Sequence, residues 1–125
     1  MTQLDCLLIN PGSRSAVYQG LSHKFSAIEP PSLAALFATY LLRKGFSCEI
    51  LDAHGLGLDA KSVASLYRTY NPRLVVLVVY GFQPSASTQN MPAAGEIARK
   101  IKEWHPDAKI MMTGTHPAAL PERTL

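Results

Sequence analysis

The chain has little cysteine and a single tryptophan: Cys6 and Cys48 are its only thiols. Two isolated thiols are too few for an iron–sulfur cluster, which takes three or four thiolates. Both fall inside stretches that read as strands, so small buried core residues in a reducing compartment are expected. Long apolar runs are missing too, and none reaches the ~18 residues needed to cross a bilayer. The start, Met1-Thr2-Gln3-Leu4-Asp5, lacks the basic segment and apolar core of a secretory leader. These absences together lead to the expectation of a cytoplasmic protein with no membrane span. Charge of one sign is not concentrated either. The net charge is +3 and the pI about 9.0, but the basic residues are scattered or sit near expected helix ends. Arg43 and Lys44 are of the second kind, and they favour the helix dipole there. With no basic–aromatic stripe, nucleic acid is not an expected partner. Also absent are a Gly-x-Gly-x-x-Gly turn after the first strand and a Walker A loop. The end of the third strand, where a phospho-acceptor domain would place an aspartate, carries Tyr80.

What is present is a chain of 125 residues, 47% of them hydrophobic, enough for one domain over 1–125 with a real core. Leu4 to Ile9 is a short apolar run closed by Asn10-Pro11-Gly12-Ser13, a strand and a turn. A long polar stretch leads to Leu33, Leu36, Phe37, Tyr40 and Leu41, which recur at helical spacing until Gly45. Cys48 to Leu51 is a second strand ending at Asp52. Val63, Leu66, Tyr67 and Tyr70 mark a second helix, stopped by Asn71-Pro72. Leu74 to Val79 is the strongest strand signal, continuous and β-branched as in a central parallel strand. A Ser- and Pro-containing loop follows. Then come a third helix on Ala94, Ile97, Ala98, Ile101 and Trp104, and a fourth strand on Ile110, Met111 and Met112. The alternation predicts an α/β fold: an open, doubly wound parallel sheet, flavodoxin-like or Rossmann-like, in the order 2-1-3-4. Such sheets usually hold five or more strands, so an amino-terminal fragment, cut before a fifth strand, is expected. The fourth strand is then expected to be an exposed edge, open to self-association.

In open parallel sheets, ligands bind beyond the carboxyl ends of the strands. Four loops form that edge here. They offer Asn10, Pro11, Gly12 and Ser13; Asp52 and His54; Tyr80, Gly81, Phe82, Ser85 and Ser87; and Thr113, Gly114, Thr115 and His116. Glycine lets a ligand approach the backbone closely. Hydroxyls and amides satisfy a large polar ligand without charge. The same residue types also make ordinary turns.

A strand ends in Asn10-Pro11, and a long loop leads to the helix Pro31-Ser32-Leu33-Ala34-Ala35-Leu36-Phe37-Ala38-Thr39-Tyr40-Leu41. Lys44-Gly45-Phe46, Glu49-Ile50-Leu51-Asp52, Pro106-Asp107-Ala108-Lys109 and Thr113-Gly114-Thr115-His116-Pro117 follow in order. With these motifs in this order, the chain resembles, along essentially its whole length, the amino-terminal cobalamin-binding domain of cobalamin-dependent radical S-adenosylmethionine (SAM) enzymes. It departs in Thr113, where the family has glycine, and in the length of the first loop. The resemblance implies a module that binds cobalamin (vitamin B12) through the four edge loops and is not catalytic alone. It implies a downstream radical SAM domain as partner, holding the 4Fe–4S cluster and SAM. That domain would perform methyl transfer or an oxidative cyclisation of the magnesium-protoporphyrin IX monomethyl ester type. The family's Cys-x-x-x-Cys-x-x-Cys motif is not in this chain. Tyr80 and Phe82 can pack on a planar macrocycle or on the neighbouring domain.

Asp52-Ala53-His54-Gly55-Leu56-Gly57 also matches the Asp-x-His-x-x-Gly motif that, in cobalamin-dependent mutases, supplies a histidine below cobalt. There the carboxylate orients the imidazole. This makes His54 a candidate cobalt ligand, set against the plainer reading of a loop histidine at the sheet edge. In the mutases the motif follows the first strand, and here it follows the second. Two further readings stay open: a domain that keeps the fold without the cofactor and serves in docking or substrate shaping, and a flavodoxin-like flavin carrier.

Overall fold

The computed structural model describes residues 2–12, 29–80 and 84–124. Four parallel strands, β1 (Leu4–Ile9), β2 (Cys48–Leu51), β3 (Pro72–Val78) and β4 (Ile110–Thr113), form one sheet in the order β2-β1-β3-β4. This is the predicted order. Register sets Cys6 beside Cys48 and Leu74, and Leu77 beside Ile9 and Met112. Among the described residues six helices accompany the strands: α1 (Ser32–Arg43), α2 (Ala53–Leu56), α3 (Ala60–Tyr70), α4 (Pro84–Trp104), α5 (Thr115–Ala119) and α6 (Pro121–Thr124). None of the described helices is long and apolar enough to cross a membrane.

Local chemistry explains the helix ends. Asp59 caps α3 by accepting from the Ser62 amide at 2.8 Å, the usual N-cap device. Asn71 closes the same helix in the left-handed conformation at φ 46, which asparagine tolerates better than most residues. Pro72 then begins β3, where a missing amide costs least.

The central strands are buried on both sides. Leu7, Ile9, Val75, Leu77 and Val79 pack under α3 and α4 with Val63, Ala64, Ile97 and Ile101. On the opposite face Cys6, Leu8, Val76 and Val78 meet Ala34 and Ala38 of α1. Each fully buried aliphatic side chain there is worth about 1.5–3 kcal/mol. Burial pushes the Cys6 thiol up to about 11 and raises that of Cys48 as well. Both cysteines are free and belong to this core.

Three expectations need adjustment. The third helix starts at Pro84 rather than near Ala94, so Ser85 and Ser87 lie in a helix and not in a loop. Proline suits a first helical turn because its missing amide would be unbonded there anyway. Leu36 and Tyr40 were expected in the core stripe of α1, yet they are 61% and 62% exposed. The sheet-facing line is instead Leu33, Phe37 and Leu41, beside Ala34 and Ala38. Finally, of the three apolar residues at the β4 edge only Met111 is exposed; Ile110 and Met112 pack against the α3–α4 core.

Candidate functional site

The sheet order reverses between β1 and β3, and in open parallel sheets ligands bind outside the carboxyl ends of the strands at such a switch point. Asn10, just past β1, is the hub on one side. Its amide donates to the Leu51 carbonyl at 3.0 Å and its carbonyl accepts from the His54 amide at 3.1 Å. Its side-chain Nδ2 donates to Asp52 Oδ1 at 2.8 Å. The β1 and β2 loops are thereby locked together. Asp52 caps α2, its Oδ1 also accepting from the Gly55 amide at 3.0 Å. Among the described residues the carboxylate's hydrogen bonds go to Asn10 and Gly55, not to an imidazole. The His54 side chain lies against Gly12: a Cβ added there would sit 2.8 Å from His54 Cγ and 2.9 Å from His54 Cβ. Such contacts are too close for any residue but glycine.

The other side is built by Ser87. It is buried and its Oγ donates to the Val79 carbonyl at 2.7 Å while accepting from the His116 amide at 2.9 Å. One hydroxyl therefore ties the end of β3 to the turn after β4. Gly114 fits beneath it at φ 152, and a Cβ there would collide with the Val79 carbonyl oxygen. His116 Nδ1 and Thr88 Oγ1 share a hydrogen bond of 2.9 Å, whose direction depends on the imidazole tautomer. Asn90 Nδ2 donates to the Tyr80 carbonyl at 2.9 Å. The Tyr80 ring stands edge-on to Phe37, with centroids 6.4 Å apart.

The structure thus brings Asn10, Pro11, Gly12, Asp52 and His54 together on one side, and Ser87, Gly114, Thr115 and His116 on the other. Thr113 diverges from this set: its side chain lines a groove on the α1 face. Ser13, Gly81 and Phe82 lie outside the described residues, as does the side chain of Ser85. Thr88 and Asn90 were missed by sequence reasoning. A helix begun at Pro84 places both in its opening turns, next to the edge, so the proline was the available signal. No group of three or more metal-ligating side chains occurs among the described residues.

A large amide-bearing ligand fits this edge in two respects. Gly12 and Gly114 let the two flanking loops pack tightly, against His54 and against the Val79 carbonyl, so the edge is pre-ordered. The edge side chains named here, apart from Asp52, are uncharged or imidazole, and Asp52 is already bonded. Comparison with known proteins agrees with this fit: a family model for the B12 binding domain matches residues 19–125. No curated protein and no solved structure matches the chain.

Proposed function

Starting from the fact that this chain belongs to the B12-binding domain family, we propose that it holds cobalamin over the carboxyl edge, as the cofactor module of a radical SAM enzyme. The observation that carries the reading is the pair of locked flanks around the β1–β3 cleft. Asn10 and Asp52 hold one flank; Ser87 and His116 hold the other. Such tethering fixes a ligand's surroundings before it arrives and lowers the ordering cost of binding.

Asn10, Pro11, Gly12, Asp52, Tyr80, Thr115 and His116 form the described part of the binding edge; Ser13, Gly81, Phe82 and Ser85 extend it. Thr113 and Gly114 set the path of the last loop, and Ser87 supports it from below. His54 packs on Gly12 and shapes the first loop, a packing role rather than that of a cobalt ligand. Bound cobalamin supplies methyl carriage or redox chemistry at its metal, and the protein's share is binding and orientation. The radical SAM partner, its 4Fe–4S cluster and SAM, and a methyl-transfer or oxidative-cyclisation reaction complete the proposal. They rest on the resemblance quoted above, in particular the Asn10-Pro11 and Gly114-Thr115-His116-Pro117 turns.

The test is a titration with hydroxocobalamin, read by visible absorbance and by backbone amide shifts. Saturable shifts at Asn10–Gly12 and Thr113–His116 are expected, with a cobalt spectrum unchanged in His54→Ala. No saturable binding would overturn the cofactor role. A spectrum altered in His54→Ala would restore His54 as a ligand.

A further inference from the structure

Two histidines stand at the carboxyl edge, and the fold treats them differently. The His54 ring is packed against Gly12. The His116 ring is the one that a hydrogen bond holds among the described residues: its Nδ1 lies 2.9 Å from Thr88 Oγ1. Its backbone is held as well, because Ser87 Oγ accepts from the His116 amide at 2.9 Å. Ser87 and Thr88 are neighbours in the opening turns of α4, so one stretch of that helix grips His116 at two points. His116 is half-buried, and its Nε2 has no hydrogen-bond partner among the described residues. An imidazole braced at one nitrogen keeps the other for whatever occupies the edge.

The brace also decides what Nε2 can do. In a neutral imidazole one nitrogen carries the proton and the other accepts. The hydrogen bond at Nδ1 therefore sets the state of Nε2. If Nδ1–H donates to Thr88, Nε2 is bare and able to bind a metal. If Thr88 donates to Nδ1, Nε2 carries the proton and is a donor. Two observations favour the second assignment. The helical threonines Thr39 and Thr124 donate their hydroxyls to the carbonyls of Ala35 and Leu120, four residues back. Thr88 donates to no carbonyl among the described residues, so its proton is available to Nδ1. Metal-ligating histidines, moreover, donate their second ring N–H to a carboxylate, a carbonyl or water, and the group that meets Nδ1 here is a hydroxyl.

Resting on the cobalamin reading above, we propose that Thr88 is a positioning residue. It holds His116 in the Nε2–H tautomer, so that His116 donates a hydrogen bond to an acceptor oxygen of the bound cofactor and does not ligate its cobalt.

The experiment has two readouts on the full chain. The first needs no cofactor: the ring nitrogens of His116 are observed by NMR at mildly alkaline pH, where histidine is neutral. Nε2 should be protonated, and Nδ1 bare and hydrogen-bonded. In Thr88→Val, which keeps the shape and removes the hydroxyl, the Nδ1 resonance should move to that of an unbonded nitrogen. Thr88→Ser should restore it. Thr88 is exposed, and circular dichroism checks that the variants fold. The second readout is hydroxocobalamin affinity, which should fall about two- to tenfold in Thr88→Val, the range of one hydrogen bond. It should recover in Thr88→Ser. In a His116→Phe background the Thr88→Val change should add no further loss. The proposal is overturned if Nδ1 is the protonated nitrogen, or if the parent and Thr88→Val bind equally. It is overturned in favour of a metal ligand if the cobalt spectrum differs between the parent and His116→Phe. Saturable binding by the parent in any of these cases leaves the cofactor reading standing, whereas no binding by the parent removes both.

Discussion

The carboxyl edge and the groove beside α1 are built on opposite terms. At the edge, polar groups are committed: Asn10 bonds Leu51, Asp52 and His54, and Ser87 bonds Val79 and His116. Glycines there have no room for a Cβ. In the groove, large apolar side chains are half-exposed and largely without such bonds. A pre-ordered polar rim suits a cofactor that must be held in one orientation.

The contrast can be broken or sharpened by substitution. The largest effect is expected at the edge. Gly114→Ala places a Cβ against the Val79 carbonyl in a backbone conformation that L-residues avoid, and should cost about 3 kcal/mol or more in thermal or urea unfolding. A cost under about 1 kcal/mol would mean that the edge is less rigid than argued. Ser87→Ala leaves a buried carbonyl and amide without their shared partner, and about 1–3 kcal/mol should be lost. Cobalamin binding should weaken with it, because the last loop loses its strut. Gly12→Ala should cost about 1–3 kcal/mol by overpacking against His54. The same change in a His54→Ala background should cost clearly less. A double-mutant cycle with no coupling would separate the two residues.

Groove substitutions should barely register in the isolated chain. Leu36→Ser and Met111→Ser are expected to shift stability within about 0.5 kcal/mol, because their side chains are already wet. The smallest effect concerns pH. Backbone and side-chain donors of Ser47 hold the Asp5 carboxyl below its ordinary 3.8, and those of Ser62 do the same for Asp59. Their contribution is full above the unfolded value and is lost as pH falls through the lower folded value. Melting temperatures of Asp5→Asn and Asp59→Asn should therefore fall less steeply below pH 3.8 than those of the parent. An unchanged slope would remove these carboxylates from the account.

The strands were legible because apolar runs bounded by turn residues have few alternatives, and the run from Leu74 to Val79 that carries most of β3 is unbroken. The start of α4 was less so. Ser85, Ser87 and Thr88 have loop-like composition, and only Pro84 hints at a helix. The stripe of α1 was misread in one respect. Helical spacing places Leu36 and Tyr40 on an apolar arc, but cannot say whether a neighbour covers each part of it. The letters Asp52-Ala53-His54 do not say where the carboxylate bonds: one partner, Asn10, stands 42 residues away in sequence.

By itself, the sequence determined the alternation of strands and helices, the parallel sheet and the residues gathered at its carboxyl edge, because periodicity and turn chemistry are local. Tertiary structure alone decided which hydroxyl became the strut, which histidine packs on a glycine, and which side chains of the α1 arc stay exposed. Those outcomes depend on distances between residues far apart in the chain, and no local pattern encodes them.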